Sequence, residues 1–389
     1  MIVEQRISEV CVGMYILDIT SPKGKFHLAK AGWIENEQIL KGFRNKGIER
    51  VLIDTSKQRS LTKPALLPAE KSRIFFQQEV VKAKHVFDES KDIQKKLFHD
   101  AQNGCPLDLE PVSKITDESM DLIYNNPSAL ACVLNIRRKN EYLLEHSVAV
   151  SVLVTIFAFF MHLEKETVRQ LAIGAFLHDV GKVKTPAKIL NKEGKLSDNE
   201  FAIMKQHVIH SIDIIKATPG ISKLSLETAT LHHEKLNGIG YPYGVKAKQI
   251  SVYGRMITIC DIFDALSSSR CYKKGYSQVK AFSILRALAE NHQLDADLVD
   301  TFIRCMGVYP VGALVQLTSN RLAIVEFLNR KDPIRPWVKP FYCLQPKHFE
   351  IAQAIDLAVA KDEQIVKCVR ADDFDLDMHM IMEFLAHEG

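Results

Sequence analysis

His178-Asp179-Val180-Gly181-Lys182 closes the apolar run Leu171-Ala172-Ile173-Gly174-Ala175-Phe176-Leu177, and His232-His233-Glu234-Lys235-Leu236-Asn237-Gly238-Ile239-Gly240-Tyr241-Pro242 closes Thr228-Ala229-Thr230-Leu231. In each case a helical apolar segment ends on an adjacent pair of metal-ligand side chains. A lysine lies one turn after the first pair, and a Gly-rich, tyrosine-bearing loop follows the second. Neighbouring ligands on a helix splay apart and can serve two different ions. A zinc finger or a single catalytic histidine needs no such doubling. The expectation is a helical core built around a multinuclear metal site, of the kind that cleaves a phosphate ester.

Further ligand types occupy similar settings. His146 opens the apolar run Val148 to Leu163, His207 closes Phe201-Ala202-Ile203-Met204-Lys205-Gln206, and Asp261 follows Gly254-Arg255-Met256-Ile257-Thr258-Ile259-Cys260. Buried imidazoles and carboxylates need partners, and a metal cluster supplies them all at once. Any one of these histidines taken alone reads as a hydrogen-bonded core residue. The two adjacent pairs, with an aspartate from a third helix, favour the cluster. A nitrogen and oxygen donor set without cysteine suits iron, manganese or catalytic zinc rather than a structural zinc.

Around this core the texture of the chain changes twice. Residues 1–62 alternate in short apolar stretches with glycine breaks and one helix, Glu37 to Arg44, giving a small α+β module. Pro64 and Pro68 open a charged helical linker, 63–110, with sparse apolar positions between 69 and 103 (Ile74, Phe75, Val80, Val81, Val86, Phe87, Ile93, Leu97). That amphipathic pattern suits packing against a second copy, a signalling partner or the chain's own core. From 111 to 307 the period is helical throughout, broken at Pro186, Gly194, Pro219-Gly220 and Gly238 to Gly244. Residues 308–389 begin as a β-hairpin turning at Ser319-Asn320 and end in a helical tail. The fold class is therefore multi-domain and mainly α: an all-α core, preceded by a small α+β module and followed by a small β-containing extension.

Composition narrows the function. A net charge of +4 over 389 residues argues against a partner that is a nucleic-acid polymer. The eight cysteines have no paired spacing, which points to reduced thiols and a cytoplasmic location. Met1-Ile2-Val3-Glu4-Gln5-Arg6 lacks an apolar core of signal-peptide length. Val148 to Leu163 falls short of the roughly 20 residues a membrane span needs, so no membrane association is expected.

The matching segments resemble the HD-GYP family, the HD phosphohydrolase branch that degrades bacterial cyclic dinucleotides. They are His146-Ser147, the 178–182 string, Pro186 with Ile189-Leu190-Asn191-Lys192, Met204-Lys205-Gln206-His207, the 232–242 string, Arg255, Asp261-Ile262-Phe263-Asp264-Ala265-Leu266 and Arg270-Cys271-Tyr272-Lys273. Val12-Gly13-Met14-Tyr15 resembles, less strongly, a small domain of unknown function often found ahead of such domains.

The resemblance implies two divalent metal ions, iron or manganese. One would be held by His146, His178, Asp179 and Asp261, the other by His207, His232 and His233, with Asp179 bridging and a hydroxide between the ions as nucleophile. Lys182 would neutralise the scissile phosphate or assist the leaving oxygen. Tyr241, Arg270 and Lys273 would grip guanine and phosphate, Arg as a fork and Lys as a point charge. Glu234 and Asp264 would accept imidazole hydrogen bonds, or Asp264 would bond Lys182. The implied reaction is cyclic di-GMP to pGpG and on to GMP. A preference for 3'3'-cyclic GMP-AMP and a catalytically weak cyclic-dinucleotide sensor are the alternatives.

Three positions depart from the family pattern. Tyr142 stands where some members carry a Glu that binds a third metal, and Glu141 and Glu145 point off that face, which favours two ions. Asn237 replaces the usual Asp, and Ser211 a usual Gly.

Overall fold

The computed structural model describes residues 2–386 except 23, 25, 29, 35–36, 59–67, 135–141, 269–274, 330–331 and 333, and omits the side chains of 58, 68–78, 142, 379, 382–383 and 386. Arg270, Lys273 and Glu141 lie outside the described residues, as does the side chain of Tyr142.

The N-terminal part contains β1 (Ile2–Arg6), β2 (Met14–Ser21), β3 (Phe26–Leu28), β4 (Gly32–Trp33), α1 (Glu37–Asn45) and β5 (Arg50–Gln58). Helices follow: α2 (Pro68–Gln102), α3 (Leu109–Asn125), α4 (Pro127–Val133), α5 (Tyr142–Phe160), α6 (Lys165–Leu177), α7 (Ala187–Leu190), α8 (Asp198–Lys216), α9 (Lys223–Leu231), α10 (Val252–Ser267), α11 (Gln278–Glu290) and α12 (Ala296–Met306). The chain ends with β6 (Leu314–Leu317), β7 (Arg321–Phe327), β8 (Trp337–Leu344), β9 (Lys347–Ile351), β10 (Ile355–Asp356), β11 (Ile365–Val369) and α13 (Met378–Ala386).

Two compact units result, one of Met1–Gln78 with Tyr309–Gly389 and the other of Glu79–Val308. This division differs from the four segments read from composition. The outer segments share a sheet of order β11-β6-β7-β8-β9-β3, in which β3 pairs in parallel with β9 (Phe26 opposite Phe349, His27 opposite Glu350). Strand pairing over that sequence distance leaves no local periodic signal. A second sheet, β1-β5-β2-β4, is antiparallel. Residues 79–110, read as a linker, belong to the helical unit, because Ala83, Val86, Phe87, Leu97, Phe98 and Ala101 of α2 are buried in its core.

In the helical unit α5 is apolar on every side, and a helix of that kind is stable only when enclosed. Leu143–Phe160 is long and apolar enough to cross a membrane by length and composition, yet 78% of it is buried inside the protein. Val148, Val150, Leu153, Val154 and Phe157 pack it into the core with residues of α6, α10 and α12. Side-chain caps start the helices that carry the site. Ser197 caps α8 in a reciprocal box with Glu200, and Ser222 and Ser251 accept the amides of Ser225 and Gly254 at the starts of α9 and α10. Each such cap contributes about 0.5–2 kcal/mol.

Candidate metal centre

Helices α6 and α9 stop at Leu177 and Leu231, and His178 and His232 occupy the capping positions that follow. A helix end leaves carbonyls without amide partners. The imidazoles use them: His178 Nδ1 donates to Ala175 O at 2.6 Å and His232 Nδ1 to Ala229 O at 2.7 Å. His207, within α8, donates likewise to Met204 O at 2.6 Å. Nδ1 therefore carries the proton in all three rings, and the bare Nε2 lone pairs point into one buried space. His178 Nε2, His207 Nε2, His232 Nε2 and Asp179 Oδ1 are buried without a hydrogen-bond partner among the described residues. Several orphaned acceptors in one place call for a cation.

The donors fall into two groups, His146 with His178 and Asp179, and His207 with His232 and His233, each with its ligand atoms within 4.8 Å of one another. Asp179 faces both. Its Oδ2 lies 3.5 Å from His146 Nε2 and 3.3 Å from His178 Nε2, while its Oδ1 lies 3.3 Å from His207 Nε2 and 3.9 Å from His232 Nε2. Two donors each about 2.0–2.2 Å from one ion stand roughly 3–3.5 Å apart, so these spacings fit ions in both groups. Asp261 also straddles them, with Oδ1 3.0 Å from His146 Nε2 and Oδ2 3.2 Å from His233 Nδ1.

His178-Asp179 and His232-His233 each sit past a helix end rather than on a continuous helix. His232 and His233 fall in one group, with rings 4.1 Å apart, whereas Asp179 reaches both groups and His178 only one. A short 3-10 segment, Val180–Lys184, follows the first pair.

The electrostatics suit cation capture. Burial works against the Asp179 carboxylate, but the Lys182 ammonium and His178 hold it well below the usual carboxylate range. Burial likewise opposes charge on Asp261, and His233 and His146 outweigh it. Burial, with neighbouring His233 and His178, keeps His232 neutral, and burial lowers His233 as well. Neutral imidazole is the form that binds metal. His146 is the exception: burial pulls it down, yet its bonds to Asp261 and Asp264 push it up to about 9. The negative ends of the α6 and α9 dipoles add further attraction for cations.

The remaining site residues take definite places. Lys182 Nζ is paired with Asp179 Oδ2. Asp264 Oδ2 lies 2.7 Å from His146 Nδ1, so of the two partners considered for it the structure provides the imidazole. Glu234 bonds loop amides instead of an imidazole, accepting from Tyr243 (2.8 Å), Gly244 (3.1 Å) and Val245 (3.1 Å). The loop it holds brings the Tyr241 ring to 4.7 Å from that of His233, and burial pushes the Tyr241 hydroxyl pKa upward. Gly240 passes so close to the preceding turn that a methyl group there would stand 2.4 Å from Lys235 N. Asn237 Oδ1 accepts the Ile239 amide at 3.2 Å, the same turn bond an aspartate makes. Glu145 lies 3.6 Å from Lys91 Nζ.

A family model described as HD domain matches residues 132–298, and one described as Domain of unknown function (DUF3391) matches residues 2–112. The cyclic di-GMP phosphodiesterase PA4108 of Pseudomonas aeruginosa is 31% identical over 369 residues, which cover 91% of this chain and 88% of that protein. The chain belongs to the HD-GYP family of cyclic-di-GMP phosphodiesterases. Two Vibrio cholerae relatives match shorter stretches of this HD-GYP protein. The 3'3'-cGAMP-specific phosphodiesterase 1 is 32% identical over 166 residues (43% of this chain, 38% of the relative). A cyclic di-GMP phosphodiesterase is 38% identical over 133 residues (33% and 27%). The HD-GYP chain is thus a metal-dependent phosphodiesterase, with its His and Asp clusters at the ends of α6 and α9 and on α5, α8 and α10.

Proposed function

We propose that the helical unit cleaves a phosphodiester bond of a cyclic dinucleotide, cyclic di-GMP before others, giving pGpG and then GMP in the cytoplasm. The two donor groups would hold two divalent ions, iron or manganese, with His146, His178, Asp179 and Asp261 on one side and His207, His232 and His233 on the other. The observation that carries this reading is the Asp179 carboxylate, which turns one oxygen to each group. Two such cations neutralise phosphate charge and lower the pKa of water they share.

The chain's own residues do the rest. Asp264 orients His146 through Nδ1, and the carbonyls of Ala175, Met204 and Ala229 orient the other three imidazoles. Lys182 offers a point charge to a phosphate oxygen and a proton to the departing ribose oxygen. Tyr241 offers a ring face for a purine beside His233. Arg270 and Lys273 complete the phosphate grip in this reading.

A mixed GMP–AMP cyclic dinucleotide is the second reading, supported by the 32% identity to a 3'3'-cGAMP-specific relative. Anaerobically purified protein, loaded with Fe(II) or Mn(II) and incubated with each dinucleotide, distinguishes the two by its chromatographed products. Turnover of cyclic di-GMP at the higher kcat/KM is expected. No turnover of either, with two ions bound per chain, makes the protein a sensor and overturns the proposal. A count near three ions overturns the two-metal assignment.

A further inference from the structure

The sheet that joins β3 to the C-terminal strands carries a second group of potential metal-ligand side chains, chemically unlike the first. Cys343 on β8 and His348 on β9 are directly opposed in the antiparallel ladder, where opposed Cβ atoms stand about 4.5–5.5 Å apart. Glu350 lies two residues after His348 and so on the same face. The Cys343, His348 and Glu350 donor atoms all lie within 4.8 Å of one another. From β3, His27 is the registered neighbour of Glu350, and its ring stands edge-on to that of His348 at 4.8 Å. The other face of the same strands is apolar, with Phe26 and Phe349 packed on Phe384 and Tyr342 on Phe349. The polar face is thus set apart from the core by the period of the strands.

Three features prepare this group for a cation. His348 donates Nδ1–H to Pro346 O at 2.7 Å, leaving Nε2 unprotonated, which is the arrangement seen at His178, His207 and His232. Glu350 is buried, and Arg321 holds its Oε1 at 3.3 Å. Arg321 is itself anchored by Glu363 at 2.9 Å. Ligating carboxylates are commonly oriented by such an outer partner. Cys343 is a free, part-exposed thiol that donates to Gln345 O at 3.3 Å, so an ion can reach its sulfur.

We infer that Cys343, His348 and Glu350 form a second metal site, selective for Zn2+, with His27 placed to supply the fourth ligand. One sulfur, one or two nitrogens and one oxygen suit tetrahedral zinc, whereas the helical site offers only nitrogen and oxygen and suits harder ions. Binding releases the Cys343 proton, and the ion joins β8 and β9 to β3, which come from opposite ends of the chain. The inference stands independently of the substrate proposed for the helical unit.

Cobalt(II) titration of the full-length protein tests this, because thiolate-to-cobalt charge transfer absorbs in the near ultraviolet and the helical site has no sulfur ligand. The expected result is a charge-transfer band that is displaced by Zn2+, lost in Cys343→Ser and retained in His178→Ala. Alkylation followed by peptide mass spectrometry supplies a second measurement on the unmutated chain. Zn2+ is expected to shield Cys343 while the exposed Cys11 and Cys105 continue to react. Absence of the band, its persistence in Cys343→Ser, or undiminished alkylation of Cys343 under saturating Zn2+ overturns the inference.

Discussion

Glu234 Oε1 accepts the backbone amide of Tyr243 at 2.8 Å, so the residue next to the ligand pair His232-His233 also anchors the loop that presents Tyr241. The His232-His233 donors and the loop proposed to meet the substrate therefore share one short segment. Glu234→Gln keeps the shape but loses the charge and part of the bonding to three amides. Hydrogen bonds to charged groups contribute about 1.5–3 kcal/mol, which at the upper end is roughly a hundredfold in KM for the dinucleotide. Metal content, measured by atomic emission, should stay unchanged.

Lys182 lies beside Asp179, on the side of the carboxylate that faces His146 and His178. Lys182→Met should lower kcat by about 10²–10³-fold, the range for loss of one preorganised charge at a reacting centre. KM should change far less. Equal metal content in the two proteins would assign the loss to the missing ammonium; a parallel loss of metal would make Lys182 a support for Asp179 instead.

Gly181 is pressed against α8. A methyl group there would lie 2.1 Å from His207 O and 2.3 Å from Ser211 N, both backbone atoms with little freedom to retreat. Gly181→Ala should destabilise the protein by about 1–3 kcal/mol and, by displacing His207, reduce metal uptake. The departure at Ser211 has a use in the same place, since its Oγ accepts the Gly181 amide at 2.8 Å. Ser211→Ala leaves that buried amide unpaired at a cost of about 1–3 kcal/mol. Urea midpoints of both variants check these values.

Glu200 gives the pH dependence a definite sign. Bonds from Lys192 first, then from the Ser197 backbone and hydroxyl, lower its pKa from 4.5 to about 2. A carboxylate depressed on folding contributes stability that is fully present above its unfolded pKa and is lost as pH falls toward its folded value. Wild type should therefore exceed Glu200→Gln in urea midpoint at neutral pH. The two should converge between about pH 4.5 and 2. An unchanged gap across that window would show that the bonds do not stabilise the fold.

The sequence announces its candidate ligands where chemistry and chain position coincide. His178-Asp179 and His232-His233 stand out because imidazole and carboxylate rarely end an apolar helix in pairs, and α5 stands out because nothing along it is charged from Ser147 onward. What the sequence conceals is partner choice. Glu234 could serve an imidazole or the loop, and only the folded loop decides, by bringing three amides to one carboxylate. Pro340 disguises β8, since proline argues against an internal strand, although it pairs with Ala323. The Cys343–His348 opposition arises from a ladder register that residue spacing alone does not reveal, and so the cysteine reads as one more scattered thiol.

The pairing of Phe26–Leu28 with Phe349–Ile351 sets an order on synthesis. Residues 79–308 are complete, with the helices that carry the candidate ligands, while the partner strand of β3 has yet to be translated. The helical unit can fold as it emerges, whereas the sheet that contains β3 must wait for Lys347–Ile351. A nascent or truncated protein ending before residue 347 would leave β3 as an unpartnered edge, open to pairing with another chain. For this protein, C-terminal proteolysis is an attack on its beginning as much as on its end.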